Sequence, residues 1–247
     1  MVLTETQKRI LDLSERAFDK GVYAFSDFLN ETEIAEIKGL KLPTAVSFYG
    51  GADFCDKAVA RLGSKEEFYY EEDFPIDLIK ITPVSVKFCK PVTHRDFLGA
   101  ILNLGVDRGK VGDIFTDGVV GYVAVINTLT DFLTENLVKV GANAVKVDVA
   151  DGVPDGFKPK TEEKELIVSS LRTDAIISKV YNLSREQSLD LFREGLVAIN
   201  GKPSTENAKL LTGGETVSVR GYGKFKFIGQ TATTKKDKLC VKIEKYV

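Results

Sequence analysis

The stretch Leu171-Arg-Thr-Asp-Ala-Ile-Ile-Ser-Lys-Val-Tyr-Asn-Leu-Ser-Arg-Glu-Gln-Ser-Leu-Asp-Leu-Phe-Arg-Glu-Gly195 decides the fold of the C-terminal part of the chain. Its apolar residues recur at helical spacing around Ile176, Ile177 and Val180, which predicts a first helix. Ser184 is typical of an N-cap that begins a second helix, and Gly195 is typical of the residue that ends it. Two short helices joined by a tight turn therefore begin this part.

A small antiparallel sheet is predicted to follow the two helices. Asn200-Gly201 favours a tight hairpin turn, and Gly213-Gly214 leads into residues 216–220, where apolar and polar side chains alternate as in a half-buried strand. Two helices and a twisted sheet make a compact unit of about sixty residues, which is small for independent folding but sufficient.

The spacing of these residues resembles the S4-type RNA-binding domain, a small αL fold. The matching positions extend over about fifty residues, and they are Leu171-Arg172, Asp174, Ser184-Arg185, Gly195, Val197, Asn200-Gly201-Lys202 and Gly213-Gly214-Glu215. The resemblance implies an RNA-binding site made of Arg172, Asp174, Ser184, Arg185, Ser188 and Lys202. The chain departs from the family at residues 188–190, where many members have an alanine and then a basic residue, so its second helix is less basic.

Phosphate recognition is the chemistry that this resemblance favours. A helix N-terminus presents free backbone N–H groups, and Ser184 lies at the start of the second helix. Arg185, in the first turn, is placed to contact a phosphate oxygen. The charge distribution agrees with this, because residues 171–247 carry a net charge of +6 and residues 1–170 a net charge of −8, within a total of −2. A basic C-terminal unit on an acidic body indicates a polyanionic partner.

A second basic surface is predicted beyond the last strand of this unit. Basic and aromatic residues alternate there, so that one face of a strand collects phosphates while the other packs or stacks. The basic residues are Arg220, Lys224, Lys226, Lys235 and Lys236, and the aromatic residues are Tyr222, Phe225 and Phe227. The alternative is an edge strand whose lysines keep the protein soluble.

Residues 76–160 are predicted to form an RRM-like, ferredoxin-like domain. Hydrophobic periodicity and turn signals give the order β-α-β-β-α-β, which builds one sheet backed by two helices. Thr93 is typical of the N-cap of the first helix, and Asp117-Gly118 of the turn between two strands. RRM domains stack RNA bases on aromatic residues of a central strand. Tyr122 is the only aromatic residue of that strand here, so the resemblance concerns the topology alone.

Residues 1–75 are predicted to form an N-terminal α/β segment. An amphipathic helix through Ile10 and Ala17 is followed by a second helix with its N-cap at Asn30. A strand at residues 45–49 then leads through Gly50-Gly51 into a helix that contains Lys57, Ala60 and Leu62. This turn is either a plain strand-to-helix connection, which we favour, or a phosphate-binding helix N-terminus.

The predicted architecture is therefore α+β in three parts. An N-terminal α/β domain covers residues 1–75, an RRM-like domain covers residues 76–160, and an S4-type domain covers residues 170–230, with a basic C-terminal strand to residue 247. The charged stretch at residues 158–165, which contains Pro159, is interpreted as a linker.

The order of these parts resembles the YlmH family of bacterial RNA-binding proteins. Matching motifs cover most of the chain, and they are Asp27-Phe-Leu29, Phe48-Tyr-Gly-Gly51, His94-Arg-Asp-Phe-Leu-Gly-Ala100, Gly112-Asp-Ile114, the S4-type pattern, Arg220-Gly-Tyr-Gly-Lys-Phe-Lys226 and Thr234-Lys-Lys-Asp-Lys238. The resemblance implies binding to rRNA or tRNA and a role on the large ribosomal subunit. It also implies a part in ribosome-associated quality control of stalled subunits that carry peptidyl-tRNA, and a gene in a cell division locus.

Several classes of protein and site are disfavoured by the sequence. The longest uncharged apolar stretch, residues 118–126, is far shorter than the ~20 residues that span a bilayer, so no membrane partner is expected. The first residues lack the apolar core of a secretory signal. Cys55, Cys89 and Cys240 form no Cys-x-x-Cys motif. We therefore expect a cytoplasmic protein with reduced, buried thiols, no metal and no cofactor.

The sequence favours a binding protein over an enzyme. The only histidine, His94, has no catalytic partner nearby in the sequence. The Gly-Arg-Leu-Asp type motif of pseudouridine synthases and the nucleotide-binding signatures of tyrosyl-tRNA synthetases are both absent from the sequence. We interpret His94 and Arg95, with the basic loop that contains Arg108 and Lys110, as a secondary RNA contact.

The predicted function is that of a monomeric protein that docks on structured RNA of the large ribosomal subunit, rRNA or tRNA, and has no small-molecule substrate. Affinity is expected to come mainly from phosphate contacts and recognition mainly from RNA shape. The alternatives are an RNA-modifying enzyme, which would change a base or the mass of its RNA, and a cell-division-associated scaffold, which would keep a protein partner after nuclease treatment.

Overall fold

The computed structural model describes residues 3–234 and 238–246. The chain divides into two compact units, Met1–Lys158 and Pro159–Val247. Both units combine helices with antiparallel sheets, which confirms the predicted α+β class. Among the described helices, none has the length and apolar character that crossing a bilayer requires.

A three-stranded antiparallel sheet forms the N-terminal part of the first unit. The elements of this part are α1 (Glu5–Lys20), β1 (Ala24–Leu29), α2 (Glu31–Ile37), β2 (Val46–Tyr49), β3 (Ala58–Leu62) and α3 (Lys65–Phe68). Strand β3 lies between β1 and β2. The predicted N-cap of α2 is confirmed, because the Asn30 side chain accepts hydrogen bonds from the N–H groups of Thr32 and Glu33.

The predicted helix over Lys57, Ala60 and Leu62 is wrong, because residues Ala58–Leu62 form the central strand β3. Four of its five residues are buried. A short run that is apolar apart from Arg61 fits a buried strand as well as a helix, and its hydrophobic pattern does not separate the two. Gly50-Gly51 therefore connects two strands, and the phosphate-binding interpretation of this turn loses the helix that it requires.

A five-stranded antiparallel sheet forms the rest of the first unit. Its elements are β4 (Ile76–Pro83), α4 (His94–Leu102), β5 (Val111–Thr116), β6 (Gly121–Ile126), α5 (Thr130–Asn136), β7 (Lys139–Val140) and β8 (Asn143–Ala150). Apart from the two-residue β7, the elements follow one another in the predicted β-α-β-β-α-β order. The strand order across the sheet is β5-β6-β4-β8-β7. Phe97 and Ile101 of α4 and Leu133 of α5 cover one face of it.

The opposite face of this sheet packs against the N-terminal part. Leu78 and Ala124 form one buried cluster with Phe28 of β1 and Val59 of β3. On the same face, the ring of Tyr122 lies edge-on to Phe157, with the ring centroids 4.7 Å apart. All residues of β6 are buried. The two sheets of the first unit therefore share a core, and β6 is excluded from solvent on both faces.

A six-stranded antiparallel sheet backed by two helices forms the second unit. Its elements are β9 (Thr161–Val168), α6 (Thr173–Tyr181), α7 (Arg185–Arg193), β10 (Val197–Ile199), β11 (Lys202–Pro203), β12 (Thr216–Val219), β13 (Gly223–Thr233) and β14 (Leu239–Tyr246). The strand order is β11-β10-β12-β13-β14-β9. Ile176 and Ile177 of α6 and Leu191 of α7 pack against Phe225 and Phe227 of β13. The two helices that the sequence predicts here are confirmed.

The charged stretch that was predicted as a linker contributes the edge strand β9, which pairs along its whole length with β14. A cross-strand ion pair joins Lys242 Nζ to Glu163 Oε2 at 2.8 Å. The polar composition has a simple cause, because most side chains of β9 are exposed. The linker interpretation is therefore wrong from Thr161 onward, whereas the division of the chain into three parts stays a prediction.

The three cysteines, Cys55, Cys89 and Cys240, are free and half-buried, and not fully buried as expected. Burial raises the pKa of the Cys55 thiol to about 12, and the nearby Asp113 carboxylate adds to this effect. The Cys55 thiol is therefore protonated, and a weak nucleophile, at neutral pH.

Gly50 is predicted to tolerate no side chain. A Cβ at this position would lie 2.2 Å from the carbonyl oxygen of Lys57 and 2.5 Å from the Cβ of Cys55, so the backbone would have to move. Gly50→Ala is expected to lower the free energy of unfolding of the first unit by about 1–3 kcal/mol, measured by urea denaturation. Gly99→Ala is the matched control, because apart from its chain neighbours and the backbone of its own helix no described atom lies within 4 Å of a Cβ there, and alanine stabilises a helix interior by about 0.5–1 kcal/mol over glycine. Equal effects of the two substitutions would contradict this packing.

Candidate nucleic-acid interface

A cleft of about 250 Å³ lies in the second unit, where β9 ends and α6 and α7 begin. Arg172 and Lys179 of the α6 region and Arg185 of α7 line it, together with Ser169 and Ser170. Lys179 and Arg185 are exposed and Arg172 is half-buried. Guanidinium, ammonium and hydroxyl groups around one concave surface are suited to hold phosphate oxygens through charge-assisted hydrogen bonds.

The carboxylate of Asp174 fixes the position of the Arg172 guanidinium. Arg172 Nε donates to Asp174 Oδ1 at 3.0 Å, and Arg172 Nη2 donates to Asp174 Oδ2 at 2.7 Å. The carboxylate also accepts from the Ala175 N–H at 2.8 Å and from Asn207 Nδ2 at 3.2 Å. This bidentate pairing holds one edge of the guanidinium toward the protein and leaves the side chain 35% exposed at the cleft.

The pKa of Asp174 reflects this environment. Burial of the carboxyl raises its pKa, but the hydrogen bond and positive charge of Arg172, with the hydrogen bonds from Ala175 and Asn207, lower it by more. The pKa therefore lies below the ordinary value for aspartic acid, and the carboxylate stays ionised at neutral pH.

Two residues of the predicted site, Asp174 and Ser188, are 4% and 0% exposed, so neither presents its side chain to a ligand. The Ser188 hydroxyl donates to the backbone oxygen of Asp174 at 2.8 Å, which ties α7 to the start of α6. We therefore propose that both residues position the cleft and do not contact RNA directly.

Ser184 is the N-cap of α7, as the sequence predicts. Its Oγ accepts from the Gln187 N–H at 3.1 Å, and the Gln187 side chain accepts from the Ser184 N–H at 2.9 Å. This capping box fixes the first turn of α7, and Arg185 projects from that turn into the cleft.

Lys179 is a cleft residue that is not among the site residues predicted from the sequence. It lies seven positions, about two helical turns, after Arg172, the N-cap residue of α6, and both residues line the cleft. That spacing was the signal in the sequence. It is weak by itself, because a lysine on an exposed helix face is common in soluble proteins.

The remaining predicted residues of the second unit lie away from this cleft. Lys202 is exposed on β11, and Arg220 is exposed just after β12. Lys224 and Lys226 alternate along β13 with the buried Phe225 and Phe227, so they point to the sheet face opposite the helices. Lys235 and Lys236 lie outside the described residues.

Acidic residues offset the positive charge of that outer sheet face. Lys226 lies directly opposite Glu244 on β14, and Glu244 is opposite Glu163 on β9. Lys224 lies with its Nζ 5.1 Å from the ring centroid of Tyr246. Strand β13 is also flanked by β12 and β14, so the alternative interpretation of this segment as an edge strand is wrong. The helix-side cleft is therefore the stronger candidate for phosphate binding.

The residues predicted as a secondary contact are divided between two places in the first unit. His94 and Arg95 are exposed in the first turn of α4. Arg108 Nη1 donates to the backbone oxygen of Val111 at 2.5 Å, and Lys110 Nζ forms an ion pair with Asp27 Oδ1 at 2.6 Å. Arg108 therefore stabilises its own loop and Lys110 ties that loop to β1, although Arg108 is exposed and the Lys110 side chain is 42% exposed.

Comparison with known proteins identifies a relative whose similarity extends over most of the chain. The family model described as "Putative RNA-binding domain in YlmH" matches residues 70–152. The "Ribosome-associated protein quality control protein P2" of Bacillus subtilis (strain 168) is 31% identical over 228 residues, which cover 89% of this chain and 86% of that protein. A solved structure, "Cell division protein ylmH from Streptococcus pneumoniae", is 19% identical with a TM-score of 0.44, over 61% of this chain and 94% of that chain.

Asp174→Asn is predicted to destabilise the second unit and to reduce its sensitivity to acid. The folded-state pKa is depressed, so the carboxylate contributes stability above its unfolded-state pKa of about 4 and loses it as the pH falls through the folded-state value. The substitution is expected to cost about 1–3 kcal/mol at neutral pH and less in acid, measured by urea unfolding across this range. Asp190→Asn, which removes an exposed pair with Arg193, is the control and costs about 0–1 kcal/mol. An unchanged acid dependence in Asp174→Asn would contradict the assignment.

Proposed function

The chain belongs to the YlmH family, and we propose that it is an RNA-binding protein that docks on structured RNA of the large ribosomal subunit, rRNA or peptidyl-tRNA, in the quality control of stalled subunits. The names of its relatives support an RNA-binding, ribosome-related function. The structural observation that carries the proposal is the cleft of the second unit, where Arg172, Lys179 and Arg185 converge.

Phosphate contact at this cleft explains affinity for RNA without reading its sequence. The side chains that line it are cations and short hydroxyls, which match phosphate oxygens and carry no information about bases. Arg172 is already held by Asp174, so less side-chain entropy is lost when a phosphate binds. Recognition then comes from the shape of an RNA that places phosphates at the spacing of these groups.

We further propose that the two sheets with backing helices are an RRM-like domain in residues 76–160 and an S4-type domain in residues 170–230. The strand order β5-β6-β4-β8 supports the first assignment. Three features support the S4-type assignment: the capping box at Ser184, the ends of α6 and α7, and the hairpin at Asn200-Gly201. The N-terminal α/β part then covers the sheet face with which an RRM domain stacks bases.

A binding function is proposed in preference to catalysis. His94, the one residue that invited an acid–base interpretation, is exposed at the start of α4, and the adjacent Asp96 carboxylate accepts hydrogen bonds from Thr93. We propose a monomer that acts in the cytoplasm and requires neither a cofactor nor a small-molecule substrate.

Arg185→Ala is predicted to weaken binding of the full chain to purified large ribosomal subunits. Loss of one phosphate contact is expected to weaken binding at every salt concentration and to reduce the slope of log affinity against log salt by about one. Binding is measured by co-sedimentation over a series of salt concentrations. Arg193→Ala is the matched control, because Arg193 lies at the other end of α7 and pairs with Asp190. Equal effects of Arg185→Ala and Arg193→Ala would exclude the cleft as the phosphate site.

Lys224→Ala is predicted to weaken subunit binding less than Arg185→Ala does. Both substitutions remove one positive charge, but Lys224 lies on the sheet face where Glu244 and Glu163 offset the lysines. The same co-sedimentation assay compares the two variants at one salt concentration. A larger loss for Lys224→Ala would instead assign RNA binding to the outer sheet face.

A further inference from the structure

An exposed apolar segment lies beside the β7–β8 hairpin of the first unit. Val84, Val86 and Phe88 expose 69%, 64% and 78% of their surface. Backbone contacts hold the segment in place, because the Val84 N–H donates to the Ala144 oxygen at 2.9 Å. Asn143 accepts from the Lys90 N–H at 2.9 Å and donates to the Lys90 oxygen at 2.8 Å. A large aromatic ring is therefore kept in solvent by a fixed backbone.

Basic side chains flank this ring. Lys87 Nζ lies 5.6 Å from the centroid of Phe88, and Lys90 is exposed two residues beyond it. The chain then continues through Val92 to His94 and Arg95, which are exposed at the start of α4. An exposed aromatic residue among cations does not stabilise the fold by burial. It is the arrangement with which proteins stack bases and hold the adjoining phosphates.

A cleft of about 470 Å³ opens at the same hairpin. Gly141 lines this cleft, and a Cβ at Gly141 would lie 3.4 Å from Val92, so the cleft adjoins the stretch of chain that leads from the segment to α4. The polar residues that line the cleft are Arg95, Asp96, Asn103, Asn136 and Lys139. The Asp96 carboxylate accepts from the Thr93 N–H at 2.7 Å and from the Thr93 hydroxyl at 2.8 Å, which engages its charge in the helix cap.

We propose that this end of the first unit binds a single-stranded segment of RNA. One base stacks on Phe88, the phosphates contact Lys87, Lys90 and Arg95, and the next nucleotide enters the cleft beside the Asn103 and Asn136 amides. The sheet face that an RRM domain uses is covered by the N-terminal part here. This surface on the helix side supplies an RNA contact that the covered sheet cannot.

Charge and shape favour RNA over a protein as the occupant. The apolar side chains of Val84, Val86 and Phe88 would be sufficient to bind a protein partner. The lysines interleaved with them match a polyanion. The cleft volume is within the range of about 300–1,000 Å³ that is usual for small-ligand sites, so it accommodates a nucleotide. The inference rests on the proposed RNA-binding function but uses a different site from Arg185, so the two can fail separately.

The chain contains no tryptophan, so Phe88→Trp introduces a single fluorophore at the proposed stacking position. Binding of an unlabelled oligouridine of about twelve nucleotides to the full chain is expected to quench its emission, because stacked bases quench indole fluorescence. Phe18→Trp is the matched control, since Phe18 is 62% exposed on α1. Emission from Phe18→Trp is expected to stay unchanged.

Affinity for the same oligouridine, labelled with fluorescein, separates stacking from apolar contact. Phe88→Leu keeps an apolar side chain and is expected to bind at least about fivefold more weakly, whereas Phe88→Trp keeps the wild-type affinity. Arg193→Ala, which removes an arginine that lines neither the Arg185 cleft nor the cleft beside Phe88, is expected to leave this affinity unchanged. Equal affinities of Phe88→Leu and the wild type, or equal quenching in both tryptophan variants, would overturn the inference.

Two measurements on the wild-type protein, sedimentation with large subunits and binding of oligouridine, distinguish failure of the proposed function from failure of this inference. If the protein sediments with large subunits but does not bind oligouridine, the single-strand site is wrong and the docking function stands. If oligouridine quenches Phe88→Trp but the wild-type protein does not sediment with subunits, the proposed function is wrong and the single-strand site stands. If a protein partner stays bound to the chain and RNA does not quench the emission of Phe88→Trp, the Phe88 surface binds a protein and the inference is overturned.

Discussion

The candidate phosphate site depends on one buried carboxylate, that of Asp174. It holds the Arg172 guanidinium through two hydrogen bonds and accepts a third from the Asn207 amide, in the loop between β11 and β12. The backbone oxygen of Asp174 also accepts a hydrogen bond from the Ser188 hydroxyl of α7. The starts of both helices and that loop are therefore fixed around a single residue, α6 and the loop through its carboxylate and α7 through its backbone oxygen. An ionised carboxylate with these partners is stable in the interior because each of its oxygens is hydrogen-bonded. The cleft is thus built before any RNA binds.

A second constraint acts in the first unit, where β6 is buried on both faces. The N-terminal part packs Phe28 and Val59 against the face of the five-stranded sheet that helices α4 and α5 leave open. This packing stabilises two small sheets with one shared core, which neither sheet would build as well alone. It also removes the sheet from contact with a ligand. Exposed functional groups are then concentrated where the strands and helices end, around Phe88, Arg95 and the β7–β8 hairpin.

Local signals in the sequence predicted most of the elements and part of the site. Caps at Asn30 and Ser184 and the hairpin at Asn200-Gly201 are encoded within a few residues, so they were predicted correctly. The sequence predicts a helix in place of strand β3, because the position of this strand between β1 and β2 depends on residues distant in the sequence and leaves no local pattern. In the same way, the sequence did not show that Asp174 and Ser188 lie in the interior, or that Glu244 and Glu163 offset the lysines of β13, because these are contacts between distant residues.

The central claim is that RNA of the large subunit is held at the cleft around Arg172, Lys179 and Arg185. Ultraviolet crosslinking of the protein on large subunits from cell lysate, followed by mass spectrometry of the RNA-linked peptides, tests it most directly. We expect that the protein sediments with large subunits and that the crosslinked peptides include residues 169–185. Absence of the protein from ribosomal fractions, or crosslinks confined to the outer sheet face on β13 and β14, would contradict it.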